Sequence, residues 1–405
     1  MRKTNKSQLS LPLLRFKGFE GEWDQIFLDE SIDINTGKKD LKDKNDNGIY
    51  PFYVRSENIE KINTYSFNGE AILIPGDGKI GDIFHYINGK FDYHQRVYKL
   101  SNKINSKINL KYLYYEFQKN IKKYLLSFSA KATVDSIRLP MLQKYKIFIP
   151  EFFEQQKIAR FFSLLDKQIS LWERKLELYE LFYKYYLNKL LFNHDNNKFP
   201  LLRFKGFEKN EIIFDRLINW SNIFGAGIDK VFNDNENEGK MVNFTDVFHN
   251  VKLDEDYIFK SCTFTQEEYK KYKVEKGDIL LTPSSEDKIN IGLSSLININ
   301  DTQYLLYSYH LNLLRVNDRL HPLYISYQLR TERVKKYFYN VSQGVSRYTL
   351  SKSDFENLYI FIPSLPEQQK IAFFLSLIDK LINYFSENIL LTKELKKTYL
   401  NKLFI

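Results

Sequence analysis

Two stretches of the chain carry apolar residues at alternating intervals of four and three. In the first these are Ile158, Phe162, Leu165, Ile169, Trp172, Leu176, Tyr179, Tyr183, Tyr186 and Leu190. In the second, the positions are Ile371, Leu375, Ile378, Ile382, Phe385, Ile389, Thr392, Lys396, Tyr399 and Leu403. Such spacing predicts long helices, each with a narrow apolar seam that requires a partner helix. The nearest partner is the other copy. Thr392 and Lys396 interrupt the second seam and predict weaker packing there. Each stretch opens on the hexad Glu-Gln-Gln-Lys-Ile-Ala, at Glu154–Ala159 and again 213 residues later at Glu367–Ala372. A strand-like run ending in proline precedes each hexad, Ile147–Pro150 and Ile360–Pro363, as expected where proline closes one element ahead of the next.

Outside these helices the pattern is shorter. Ile49–Arg55 and Glu70–Pro75 read as strands, 109–127 as a helix and Leu142–Pro150 as a last strand. Gly277–Pro283 repeats the pattern of Gly69–Pro75, and Leu323–Lys336 that of the helix. The nine residues Pro12–Glu20 recur without change at Pro200–Glu208, 188 positions on, so the chain is an internal tandem duplication. Because the offset grows from 188 to 213, the second globular portion is longer by 25 residues. The expected organisation is an arm (1–11), a mixed domain (12–150), a helix and linker (151–199), a second mixed domain (200–363) and a C-terminal helix (364–405). The fold class is therefore α+β: two mixed domains related by a pseudo-two-fold duplication and separated by an antiparallel pair of long helices. A seam from Ile158 to Leu190 is about 50 Å long, roughly one and a half turns of B-DNA.

Composition narrows the function classes. Hydrophobic residues form 43% of 405 residues, enough for real cores. The net charge of +10 invites a polyanion partner, yet residues 12–150 carry 22 Lys/Arg against 17 Asp/Glu and residues 200–363 carry 21 against 22. A DNA-binding face must then be a local clustering of basic groups. The single cysteine, Cys262, excludes a disulfide framework and a cysteine-rich zinc site, and fits a reducing, cytoplasmic home. The run Leu9–Leu14 is too short for a signal segment, and no apolar run reaches the length of a membrane span.

The duplicated Pro-Leu-Leu-Arg-Phe-Lys-Gly-Phe-Glu segment, the Ile-Phe-Ile-Pro endings, the two Glu-Gln-Gln-Lys-Ile-Ala helix entries and the segments Glu70–Gly81 and Asp278–Gly292 together resemble the specificity subunit of type I restriction–modification systems. The resemblance covers nearly the whole chain. It implies that each mixed domain is a target recognition domain reading one half of a split, asymmetric double-stranded DNA site. It implies further that the paired helices set the spacing and carry two modification (methyltransferase) subunits, with restriction/translocase subunits joining through the complex. No cofactor is then expected on this chain; S-adenosylmethionine, ATP and Mg²⁺ belong to the partners.

The residues themselves agree that this chain is not an enzyme. Gly76-Asp77-Gly78-Lys79-Ile80-Gly81 matches G-x-G-x-x-G, but a dinucleotide site needs a helix directly after it. Asp82–Tyr86 reads instead as a strand, and the repeat's loop, Pro283–Lys288, lacks the glycines. There is no Pro-Pro pair for an amino-methylating motif, Glu286-Asp287-Lys288 is an unmatched E-x-K, and the six histidines lack metal-ligand spacing. DNA readout remains, with Arg or Lys for guanine and Asn or Gln for adenine. The candidates in the first domain are Lys38, Lys39, Arg55, Asn58, Lys79, Gln95, Arg96, Lys131 and Arg138. Those in the second are Lys230, Asn243, Ser284, Lys288, Arg315 and Arg347. Arg55–Asn58 aligns with Asn243–Asp246, so the polar tips differ where the strand frame is kept, and an asymmetric target follows. The spacer candidates are Ile158, Leu165, Trp172, Tyr179, Ile371, Ile378 and Phe385, with Leu391 and Leu395 on an outer face for a partner protein. A coiled-coil scaffold with protein-binding heads, or a self-sufficient methyltransferase, are the rival readings.

Overall fold

The structure, a computed structural model, describes residues 11–128, 136–191, 200–229, 232–233 and 235–405. It divides into two compact units, Met1–Arg174 with Ser386–Ile405, and Lys175–Phe385. Apart from Leu11, the predicted arm lies outside the described residues.

In the first unit β1 (Asp24–Phe27) turns through α1 (Leu28–Ser31) into β2 (Ile32–Thr36). There follow β3 (Tyr50–Tyr53), β4 (Ile59–Ile62), β5 (Phe67–Pro75), β6 (His85–Tyr93) and β7 (Val97–Asn102). Next come α2 (Leu110–Leu126), α3 (Leu139–Gln143), β8 (Lys146–Ile149) and the N-terminal part of α4 (Phe152–Leu191). Six strands form one sheet in the order β2-β7-β5-β6-β3-β4, antiparallel except for β3 beside β6. The unbroken apolar run of β5 is explained by burial of both faces. Strand alternation sends Ile72 and Ile74 into a core with Leu113, Phe117 and Ile121 of α2, and Ala71 and Leu73 into a second core with Tyr53, Phe91 and Val97.

The second unit holds β9 (Ile213–Arg216), β10 (Ser221–Phe224), β11 (Asn237–Val242), α5 (Phe244–His249), β12 (Lys252–Leu253), β13 (Lys260–Phe264) and α6 (Gln266–Tyr272). After these come β14 (Ile279–Leu281), β15 (Ser284–Ser285), β16 (Ser294–Ile297), β17 (Leu305–Tyr307) and β18 (Asn312–Val316). It closes with α7 (Pro322–Leu329), α8 (Glu332–Val341), β19 (Tyr348–Thr349), α9 (Lys352–Glu356), β20 (Tyr359–Ile362) and part of α10 (Leu365–Leu403). Its sheets, β10-β18-β14-β16-β12 and β13-β11-β17, repeat the first unit's plan: β11 lies parallel to β17 as β3 lies parallel to β6, and β9–β20 repeats β1–β8. The extra length is now localised. α5 and β12 are inserted between the counterparts of β3 and β4, α6 follows β13, and the single strand β6 is replaced by two, β16 and β17.

Three expectations are corrected. Leu142–Pro150 is not one strand; Pro140 sits in the first turn of α3, where its missing N–H is harmless, and only Lys146–Ile149 is extended. Leu323–Lys336 is not one helix. It breaks at Arg330–Thr331, where the Thr331 hydroxyl donates to the Gln328 carbonyl (2.8 Å) and α8 restarts. Asp82 continues a turn, donating its N–H to the Lys79 carbonyl (3.2 Å), and the strand begins only at His85.

The long helices pair antiparallel within each unit. In the first, Phe161 meets Tyr399 (5.0 Å between ring centroids), Lys396 reaches Asp166 (2.6 Å) and Lys393 reaches Glu173 (2.7 Å). In the second, Tyr179 meets Phe385 (5.3 Å) and Tyr186 meets Phe374 (5.1 Å). At Lys396 an ion pair to Asp166 stands where the seam elsewhere has apolar contacts, and the Thr392 hydroxyl folds back on the Asn388 carbonyl (2.6 Å).

Candidate nucleic-acid interface and its anchoring

The repeated segments of the sequence meet one another. Arg15, from the first Pro-Leu-Leu-Arg-Phe, donates to both carboxylate oxygens of Glu154 (2.8 and 2.7 Å), and Arg203 does the same to Glu367 (2.9 and 2.6 Å). Both carboxylates are buried, and each lies in the first turn of its helix, where the peptide dipoles favour negative charge. Lys157 lies over Phe16 and Phe19, and Lys370 over Phe204 and Phe207. Gln155 donates to the Pro150 and Lys107 carbonyls and accepts from the Asn109 N–H; Gln368 donates to those of Pro363 and Arg319 and accepts from His321. The hexad is thus a lock. Its glutamate grips the module start, and its glutamine ties the last strand to the loop before α2 or α7.

In the first unit, the loops after β3, β5 and β6 converge. Arg55 and Arg96 both bind Asp77, at 3.2 and 3.0 Å, so two guanidiniums share one carboxylate. Lys79 lies near Glu57 (3.7 Å), and Gln95 donates to Asp40 (2.7 Å). The backbone of Lys39 pairs with that of His94 in an isolated parallel bridge; burial chiefly lowers the pKa of the His94 imidazole, and Gly37 lies so close that a Cβ there would sit 1.9 Å from the Tyr93 carbonyl oxygen. Arg138 is exposed, next to Ile137, whose N–H donates to the Gly76 carbonyl (2.7 Å). A cavity of about 520 Å³ opens between Arg55, Asp77 and His94. Lys38 and Asn58 are exposed beside it in sequence, and Lys131 lies outside the described residues.

The equivalent loops of the second unit also converge, with different chemistry. β15 pairs with β19, and Arg347 donates to the Ser284 hydroxyl (3.2 Å). Lys288 lies 4.5 Å from the ring of Tyr339 and 5.7 Å from that of Tyr348. A cavity of about 500 Å³ is lined by Phe244, Phe248, Ser284, Glu286, His310 and Arg347, among others. Two further candidates are already engaged within the fold. Asn243 is buried at the N-terminal boundary of α5, its amide donating to the Met241 carbonyl (3.3 Å) and its backbone N–H to the Asp246 carboxylate (2.7 Å). Arg315 is spent on Asp278 (2.7 Å, through two nitrogens) and Glu275 (3.2 Å). Lys230 lies outside the described residues. Phe248 was missed by sequence reasoning; its signal was the four-residue spacing from Phe244, readable only once α5 is known to be a helix.

The spacer residues divide as their spacing requires. Ile158, Ile371, Ile378 and Phe385 are buried, and Leu165, Trp172 and Tyr179 are half-buried. A second stripe remains exposed on each helix: in the first unit Leu164, Leu171, Leu390, Leu391 and Leu395, in the second Leu178, Leu181, Phe182, Phe373 and Leu377. Among the described residues no cluster of His, Cys, Asp and Glu is arranged to hold a metal, and no helix is long and apolar enough to cross a membrane.

Comparison with known proteins gives this architecture a family. The model of the type I restriction modification DNA specificity domain matches residues 20–181 and 222–392. The chain is 30% identical over 156 residues to the type I restriction enzyme EcoDI specificity subunit of Escherichia coli (38% of this chain, 34% of that protein). It is 32% identical over 141 residues to the putative MjaX specificity subunit of Methanocaldococcus jannaschii (34% and 33%), so these matches span about a third of either relative. The MjaVIII specificity subunit of the same organism is 25% identical over 391 residues, covering 89% of this chain and 87% of its own. In fold the chain is similar to the type I restriction–modification S subunit from M. genitalium, with a TM-score of 0.68 at 15% identity over 98% of this chain and 99% of that one. The duplicated heads, the twin Arg–Glu locks and two separate matches to one domain model converge: the chain belongs to the type I restriction–modification DNA specificity family.

Proposed function

We propose that this chain is the recognition subunit of a type I restriction–modification complex, binding a bipartite, asymmetric double-stranded DNA site with one half read by each head. The observation that carries this is the pair of topologically equivalent loop clusters, built on one strand frame but tipped with different side chains, Arg55 and Arg96 in one and Phe244, Phe248 and Arg347 in the other. Phosphate contacts from the surrounding lysines supply affinity and salt dependence, and base-edge contacts supply sequence. The paired helices set the gap between the halves. Methyl transfer and ATP-dependent cleavage belong to partner subunits, which supply S-adenosylmethionine, ATP and Mg²⁺.

Selection from a randomised duplex pool by this chain together with its modification subunit tests the reading. Two different short blocks at constant spacing are expected; a palindromic consensus, or no enrichment, overturns it. Lengthening α4 and α10 by one heptad each, about 10 Å of helix, is expected to lengthen the selected gap.

The exposed leucine stripes are the proposed docking faces for two modification subunits, one on each unit. Leu391 and Leu395 are 62% and 45% exposed. The double substitution Leu391→Glu, Leu395→Glu is therefore expected to leave the melting temperature of the chain within a few degrees while weakening co-purification of the modification subunit. Full co-purification at unchanged yield argues against that face.

A further inference from the structure

We infer that the two heads read their half-sites by different chemistry, the first through guanidinium contacts to guanine and the second through phenyl contacts to the C5-methyl group of thymine. The inference rests on the proposal that the heads bind DNA, and adds to it which base chemistry each head takes.

The contrast arises at matched positions. β3 and β11 occupy the same place in the two sheets, each parallel to the strand that ends at Tyr93 or Tyr307. After β3 the chain emerges at Arg55, which is exposed and steadied by Asp77. After β11 the first residue, Asn243, is buried as Val54 is after β3. The sheet register therefore matches Arg55 with Phe244 rather than with Asn243, and the outward positions fall to Phe244 and Phe248, one turn apart on α5. Their rings stack 5.8 Å apart at 26°, making a flat apolar wall, and Phe248 keeps 37% of its surface exposed. After β6 the first head presents Arg96, also on Asp77; the second presents His310 at the corresponding place after β17.

The two sites also differ in what they offer a base. Arg55 and Arg96 converge on Asp77, with Glu60 on the same cavity; a forked guanidinium suits a base edge carrying two acceptors, and guanine N7 and O6 are that edge. The phenyl pair lines a cavity that Glu286, Asp287 and Arg347 also line. Glu286 and Asp287 beside one guanidinium disfavour a phosphate there, as Glu60 and Asp77 beside Arg55 do in the first head, so a base edge is the better occupant of both. The only apolar group displayed in the major groove is the thymine methyl.

The test uses the complex with its modification subunits and the duplex returned by pool selection, with Kd measured by fluorescence anisotropy at fixed salt. Replacing thymine by uracil, which removes only the methyl, is expected to weaken binding about three- to fivefold per contacted thymine in one half-site. Phe248→Ala is expected to abolish that penalty, while Phe248→Leu, still apolar, retains it. In the other half-site, 7-deazaguanine, which lacks the N7 acceptor, is expected to cost about tenfold in the wild-type chain and much less in Arg96→Met. A selected half-site without thymine, or uracil substitution that changes nothing anywhere, overturns the inference while leaving bipartite recognition intact. Absence of any enriched sequence instead defeats the functional reading on which it rests.

Discussion

Replacing Arg203 by alanine is expected to destabilise the second unit by about 3–5 kcal/mol, the usual cost of stranding a buried charge. Glu367 is 1% exposed in its side chain, and its two oxygens receive the Arg203 Nε and Nη2 hydrogens at 2.9 and 2.6 Å. Once the guanidinium is gone, the carboxylate at the entry of α10 must either stay charged without a partner or take up a proton. Arg203 is also held from behind by the Glu208 and Asn210 carbonyls, at 3.3 and 2.7 Å, so its loss frees the whole module start. Urea denaturation with hydrogen exchange to localise the opening checks this. The double variant Arg203→Met, Glu367→Met, which removes both charges at similar volume, is expected to recover most of the loss. A single variant as stable as the parent overturns the assignment of the lock. The matching change at Arg15 is expected to be milder, since that side chain is 18% exposed against 9% for Arg203.

The second large effect is a pH dependence confined to the first head. Glu116 on α2 is buried, accepts from the Asn120 amide (3.1 Å) and the Tyr145 hydroxyl (2.8 Å), and has one oxygen without a partner. Burial outweighs those hydrogen bonds and pushes its carboxyl up to about 7, from an ordinary 4.5. A folded-state value above the unfolded one means that the folded state holds its proton longer. The stability is therefore fully present below about pH 4.5 and is lost as pH rises through 7. The difference corresponds to about 3 kcal/mol. Glu116→Gln is expected to flatten the stability profile of the first unit between pH 5 and pH 8 and to raise its stability at the alkaline end; an unchanged profile overturns the claim. The chain contains its own precedent. The corresponding place on α7 is Gln328, which donates to the Tyr324 hydroxyl (2.7 Å) and accepts from the Phe361 N–H (3.0 Å) with no charge to bury.

Much of this was legible in the residues alone. Nine identical residues at an offset of 188 and a hexad at 213 require a duplication whatever the fold, and the four-three spacing of Ile158 to Leu190 requires a long helix with a partner. Both are one-dimensional signals. The boundaries around them were less legible, because Pro140 and Thr331 act through local geometry that an apolar pattern does not carry: a proline in a first turn and a hydroxyl closing on its own backbone.

The candidate interface divides on the same line. That the loops after β3, β5 and β6 are polar and exposed follows from polar residues between apolar strands, and Arg55 and Arg96 do meet, on Asp77, with Lys79 beside Glu57. Whether a polar residue faces a ligand or the core is a matter of packing, which sequence pattern does not encode. Asn243 and Arg315 look like base readers in a line of text, yet one is buried at the start of a helix and the other pairs with Asp278. The sequence by itself determined the duplicated heads, the two helices and the family. Only the tertiary structure decided that the repeated arginine and the hexad glutamate are partners 139 and 164 residues apart in the chain. The physical reason is that a side chain's charge is written in its residue type, while its partner and its exposure are set by elements that meet only when the chain is folded.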